Sequence, residues 1–332
     1  MSKKRVLYIL DRYPQISETY IENEIRQLVA RYDLRILSLQ PPNLGSRSHF
    51  AHTRVETKEQ LAKEVRAFRP DVIHGHYTVL ADVLAFSAQL VDRPFTLRAH
   101  SFDVLGPMIE GVRRHAPALT DRRCIGILTF PFTRDTFTRI GVRDEIIHDC
   151  WPVVDFSRFH DEGPNGKAVM NVGACIPKKN MESYLHLGEL ARERELALYA
   201  MGYGVGKIRA LNEQLGSPIH VFEGLQPEDM PAEYKKHEWL VYTASHKERT
   251  VGWPMAVAEA QASGVGVCMQ NIRPDLQEYV GAAGYLFDRI EDAAEIIRHP
   301  FPEAKRQEGF MHARKSDVRQ HIHLLESLWQ AA

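Results

Sequence analysis

Short apolar runs of β type alternate with helical stretches along nearly the whole chain, and this alternation narrows the possible folds more than any other feature. Residues 5–10 read as a strand. Residues 18–31 then place Tyr20, Ile21, Ile25, Leu28 and Val29 on one helical stripe. Further strands are predicted at 34–39, 72–76, 94–100, 124–130 and 146–151, with helices at 57–68, 80–90, 106–116 and 133–140. A Pro- and Gly-bearing segment over 152–166 interrupts the rhythm and reads as a linker. A second series follows, with strands at 168–173, 196–202, 219–222, 239–243 and 265–269. Its helices fall at 181–194, 205–215, 227–236 and 255–262, and helices at 290–298, 302–314 and 317–330 close the chain. Strands joined through helices pair in parallel, because a parallel neighbour needs a crossover of about a dozen residues or more. The expectation is an α/β protein with two open, doubly wound sheets.

A length of 332 residues suits two domains with a core each, and 44% hydrophobic with 26% charged residues is ordinary for a globular chain. The apolar run 6–10 is too short for a signal sequence, and no run approaches the roughly 20 residues of a membrane span. Cys124, Cys150, Cys175 and Cys268 are scattered without metal-site spacing, which fits reduced thiols and a cytoplasmic protein. The net charge is −1 but unevenly shared: residues 1–150 carry 22 Lys/Arg against 18 Asp/Glu, and residues 151–332 carry 20 against 25. That excess is too small to mark a nucleic-acid partner. The basic half, with Arg113-Arg114-His115 and Arg122-Arg123, would suit an anionic acceptor or a peripheral membrane contact, although a solvated basic face explains it as well. The first strand runs into Asp11-Arg12-Tyr13-Pro14 without a glycine, which disfavours a dinucleotide enzyme, and Gly202-Tyr203-Gly204-Val205-Gly206 lacks the full fingerprint spacing.

The stretch Thr250–Ala262 is the most suggestive locally. Gly252 and Pro254 read as a tight loop, and Met255–Ala262 as an Ala-rich helix holding a single ionisable residue, Glu259. A helix start offers unpaired N–H groups and a positive dipole end to phosphate, and a carboxylate one turn further in can take ligand hydroxyls. The plainer alternative is a buried helix with its Glu at the surface. Ser17 fits a helix N-cap ahead of Glu18. His74 and His76 share one strand face and invite a metal reading, but no third ligand lies near in sequence, so no metal is expected.

Five segments in order give the chain a family likeness. Tyr13–Ile21 with Glu24-Ile25 is similar to an opening of the type FPxxSETFIxxEI, Asp71–His76 to a DVIHAH strand, and Arg98–Asp103 to an RAHxxD loop. Val172-Gly173 through Lys179-Asn180 is similar to a VGRLxxxKG loop, and residues 251–260 to Glu-Gly-x-Pro-x-x-x-x-Glu-Ala. The chain thus resembles the GT-B fold glycosyltransferases of family 4, retaining nucleotide-sugar enzymes, and most of all their polysaccharide and lipid-linked-glycan members. The resemblance implies two Rossmann-like domains facing across a cleft. The first, 1–152, would bind acceptor, the second, 165–315, would bind donor, and a C-terminal helix, 316–332, would return to the first.

The resemblance also implies roles. Lys179 would supply a cation to the donor diphosphate, Glu259 would hold the ribose hydroxyls, and His100 would sit near the transferring sugar. Gly173, Asn180, Gly252, Trp253, Pro254, Met255 and Ala256 would line the donor, the backbone of 252–256 offering amides to sugar or phosphate. Asp103, Ser17 and Glu18 would lie on the acceptor side. The partners would be a nucleotide-diphosphate sugar and a glycan or lipid-linked acceptor, with no cofactor and no metal, in the cytoplasm or peripherally at the inner membrane face. Two departures stand out: Ala174 where relatives have Arg beside the diphosphate, and Val251 where they have the first Glu. Arg249 and Glu248, in a longer loop before Gly252, could replace them. The departures leave a second reading open, a catalytically inactive relative that binds a nucleotide sugar, a glycan or a partner protein.

Overall fold

A computed structural model describes residues 3–42, 49–106, 109–223 and 225–331. The chain divides into two compact units, Met1–Val153 with Val318–Ala332, and Val154–Asp317.

The first unit is built on seven strands: β1 (Arg5–Arg12), β2 (Asp33–Gln40), β3 (Thr53–Arg54), β4 (Val72–His76), β5 (Phe95–Arg98), β6 (Cys124–Thr129) and β7 (Ile147–Asp149). All pair in parallel in the order β3-β2-β1-β4-β5-β6-β7. The order reverses between β1 and β4, so connections leave the two central strands in opposite directions and open a crevice at their C-terminal ends. Alternation along β1 feeds two cores. Leu7 and Ile9 pack with Ile73, Leu84 and Leu97, while Val6, Tyr8 and Leu10 pack on the other face with Ile25, Ile322, Leu325 and Trp329. The last three belong to the closing helix Val318–Gln330, which therefore completes the first unit although it is last in the chain. Gly75 permits the helix Ala81–Val91 to approach the sheet, since a Cβ there would lie 2.8 Å from Leu84.

The second unit holds β8 (Ala168–Ala174), β9 (Leu196–Met201), β10 (His220–Glu223), β11 (His237–Tyr242), β12 (Gly266–Gln270) and β13 (Gly284–Phe287), again all parallel, in the order β10-β9-β8-β11-β12-β13. Val169, Leu198, Trp239, Val241 and Cys268 are buried among the helices on one face. No helix of the described residues is long and apolar enough to cross a membrane.

Several elements differ from the sequence-based expectation. Strands β3 and β13 are not anticipated: β3 has two residues, and β13 begins at a glycine that a β-carbon could not replace, with Val280 2.6 Å and the Val267 carbonyl 2.8 Å away. Ser17 is exposed and does not cap; the helix runs Thr19–Leu28 with Glu18 at the cap position. The helix expected over 227–236 is confined to Met230–Tyr234, and that over 181–194 ends at Leu190. The one expected over 106–116 resolves into Ile109–Arg114 and Ala116–Leu119, with 107–108 outside the described residues. Residues 43–48 of the 40–52 loop also lie outside them.

Candidate functional site

In the second unit the candidate residues gather at the C-terminal ends of β8 and β11. Gly173, on β8, has φ +141, and a β-carbon there would fall 2.1 Å from Lys179 Nζ. The glycine therefore makes the space that the ammonium occupies. Lys179 sits 5.4 Å over the ring of Tyr242, and its carbonyl accepts from Thr243 Oγ1 at 2.8 Å. Thr243 in turn accepts from Asn171 Nδ2 at 3.1 Å, and the Ser245 amide donates to the Lys178 carbonyl at 2.8 Å, so β8 and β11 both clamp the lysine loop. Asn180 takes a left-handed conformation, φ +47, and starts the helix Met181–Leu190. Burial lowers Lys179 to about 8, with Cys175 and Glu259 acting in the opposite direction.

Glu259 lies in the helix Met255–Ala262, which starts straight after Pro254. Tyr234 Oη donates to Glu259 Oε2 at 2.9 Å. Burial raises this carboxyl, while Tyr234, Arg158 and Lys179 pull it back. The preceding loop is latched from outside. Arg273 forms a fork on Asp275 at 2.8 and 2.9 Å and donates to the carbonyls of Arg249 and Val251. Trp253 donates to Asp275 at 3.0 Å and stacks on Tyr279, whose hydroxyl donates to the Pro254 carbonyl at 2.5 Å. Gly252 and Trp253 are buried, and Met255 and Ala256 open the helix's first turn. Val251 is only 4% exposed. Arg249 is exposed at φ +49 and donates to the His246 carbonyl at 3.1 Å; Glu248 is exposed beside it.

In the first unit the candidates cluster past β1, β4 and β5, around a network that the sequence did not disclose. Glu24 is fully buried between three histidines: Oε2 faces His321 Nε2 at 2.5 Å, and Oε1 faces His76 Nε2 at 3.3 Å and His74 Nε2 at 3.2 Å. Tyr8 also donates to Oε1 at 2.7 Å. Burial alone would raise Glu24; His76, His321 and His74 around it hold it well below the usual carboxylate range. His76 Nδ1 lies 3.0 Å from His100 Nε2, and the His100 ring stacks on His76 and packs beside Tyr20 and Tyr77. Asp103 is buried and accepts from the amides of His100, at 2.7 Å, and Thr78; burial raises it to about 6. Glu18 accepts from Tyr77 at 2.7 Å and is raised by burial to about 7. Ser17 stays exposed, outside this hydrogen-bonded set. Of the basic side chains farther along, Arg113 pairs with Glu110, His115 with Asp82, and Arg122 and Arg123 with Asp92.

Sequence reading missed Tyr234, Arg273, Asp275 and His321, which enter these clusters through long-range packing, and named Arg98 only inside the RAHxxD-like loop. Glu24 appeared only inside a motif; its place opposite His74 and His76 on the switch-point strands was the available signal.

Residues 166–299 match the model of the family described as Glycosyl transferases group 1. No curated protein matches the chain. Among solved structures, HepE from Anabaena in complex with UDP and glucose is similar at 14% identity and a TM-score of 0.79, over 98% of this chain and 99% of that one. Sucrose-phosphate synthase from Thermosynechococcus elongatus is similar at 14% identity and a TM-score of 0.76, over 99% and 100%. The lipopolysaccharide outer core galactosyltransferase WaaB, in its apo form, is similar at 13% and 0.66, over 98% and 99%. The chain therefore has the GT-B fold, and its residues 166–299 match the Glycosyl transferases group 1 model.

Proposed function

We propose that the protein is a retaining glycosyltransferase that moves a hexose from a nucleotide-diphosphate sugar to a hydroxyl of a glycan or lipid-linked acceptor. The observation that carries this reading is the joint placement of Gly173, Lys179 and Glu259, the last in the helix Met255–Ala262. The ammonium and the helix amides are fixed charges for a diphosphate whose negative charge grows as its bond to the sugar breaks. With Oε2 held by Tyr234, Glu259 offers Oε1 to the ribose hydroxyls. HepE, similar in fold, has been crystallised with UDP-glucose, which supports a donor of that class. In the transfer, the sugar carbon leaves the diphosphate oxygen and bonds the acceptor oxygen on the same face. The departing oxygen takes the acceptor proton, so no dedicated protein base or metal is needed. His100 is assigned to the transferring sugar, and Asp103 and Glu18 to the acceptor side. Arg249 would turn from the His246 carbonyl to the donor phosphates, standing in for the Arg that relatives carry where this chain has Ala174. A peripheral contact with the cytoplasmic membrane face would suit a lipid-linked acceptor.

A second reading, a binding protein without turnover, is favoured by one observation: Val251, where relatives carry a Glu, is buried and apolar. A thermal-shift screen with UDP-, GDP- and ADP-sugars, followed by donor-hydrolysis and transfer assays, separates the two. A stabilising donor with turnover supports transfer. A stabilising donor without turnover supports the second reading, and no shift with any donor overturns both.

A further inference from the structure

Hydrogen-bond polarity can be followed through the buried network of the first unit from a fixed starting point. Arg98 is 1% exposed and can only donate, so the His321 Nδ1 atom, 2.9 Å from its Nη1, must accept. Nε2 of a neutral His321 then carries the proton and donates to Glu24 Oε2. On the other carboxylate oxygen, His76 Nε2 is the donor, which leaves His76 Nδ1 an acceptor. Its neighbour at 3.0 Å is His100 Nε2, so that nitrogen is the one protonated on His100. Burial lowers His76 and His321 to about 4 and holds His100 well below its ordinary value, with the charge of Arg98 acting in the same direction on each, so all three rings are neutral at physiological pH.

We propose that Arg98, His321, Glu24 and His76 are positioning residues that lock His100 as an uncharged imidazole protonated on Nε2, in one orientation against Tyr20 and Tyr77. This rests on the assignment of His100 to the transferring sugar. It deepens that assignment, since a ring held in this state acts through its fixed shape and polarity and does not serve as a proton donor to the leaving group. It also makes the closing helix part of the site, because His321 lies in Val318–Gln330. Glu24, His74 and His76 have the composition of a cation site, but the network already balances its charge. The nearby guanidinium offsets the single carboxylate, and the Nε2 protons of His76 and His321 point at the oxygens a cation would need.

The test is a long-range proton–nitrogen correlation spectrum of the full chain at neutral pH, which assigns the tautomer of each histidine without substrate. Protonated Nε2 and bare Nδ1 on His321, His76 and His100 are expected, unchanged by one equivalent of Zn²⁺. Protonation of Nδ1 on His76 or His100, or a large shift of the His74 and His76 nitrogens with Zn²⁺, would overturn the proposal. In Glu24→Gln, His76 and His100 are expected to lose their single tautomer, and kcat to fall about tenfold or more with donor KM changed less than about twofold. An unchanged tautomer in a folded Glu24→Gln protein would also overturn it. If that variant does not fold, the wild-type spectrum decides alone. Absence of turnover with the expected tautomers would count against the transferase reading only.

Discussion

Lys179 carries the clearest consequence for solution behaviour. Burial brings its ammonium down to about 8, so the charge is complete below that pH and is lost as pH rises through it. A diphosphate diester does not titrate in this range, so the donor's charge is constant. Donor affinity should hold from about pH 6.5 to about 8 and then weaken by up to tenfold per pH unit, one proton being linked to binding. Lys179→Arg should bind with little pH dependence, because a guanidinium keeps its charge. Calorimetric titrations between about pH 7 and about pH 9.5 would show this, and a flat wild-type profile would remove Lys179 from the phosphates. Gly173→Ala should weaken donor binding about tenfold or more and destabilise the second unit by about 1–3 kcal/mol, since its β-carbon competes with Nζ and φ is unfavourable for a side chain. Lys179 and Gly173 were legible because the loop between them is short and its residue types distinctive. Tyr234 was not: nothing in a phenol 25 positions before Glu259 announces that the two will meet.

At the scale of elements, the helix Met255–Ala262 was readable to its ends, because Pro254 fixes its start and Gly264, at φ +73, follows its last turn. The loop before it was not, since its geometry is set by Arg273, twenty-two residues after Val251. The Arg273 and Asp275 side chains are 14% and 13% exposed. Arg273→Ala should therefore cost about 3 kcal/mol, the cost of stranding a mostly buried carboxylate, and should weaken donor binding by freeing residues 249–251. Arg273→Lys should rescue little, because a single ammonium cannot hold both the Asp275 fork and two carbonyls. Urea unfolding and donor titrations on the two variants would measure this. Stability and affinity close to wild type in Arg273→Ala would show that the loop holds itself.

Over the whole molecule, the two parallel sheets and most of their strands followed from the alternation of apolar runs, because fully buried parallel strands have to be nearly continuous in hydrophobicity. The ownership of the closing helix did not follow from periodicity, which gives a helix an apolar face but not an address. Here the address is set by Trp329, which is fully buried, packs with Tyr8 and Tyr32, and donates to Thr96 Oγ1 at 3.0 Å. The same Thr96 oxygen lies 2.8 Å from His74 Nδ1, so the helix end connects to the histidine network from beneath β4 and β5. Trp329→Ala should leave a large cavity there and cost about 3–5 kcal/mol. Hydrogen exchange should then rise in residues 5–12, 72–76 and 95–98, the strands this helix covers, while 168–174 and 237–242 keep their protection. The His76 and His100 tautomer signals should broaden in the same variant, because the strand carrying His74 and His76 loses its support. Equal loss of protection in both sets of strands would mean that the helix stabilises the chain generally and does not specifically complete the first unit.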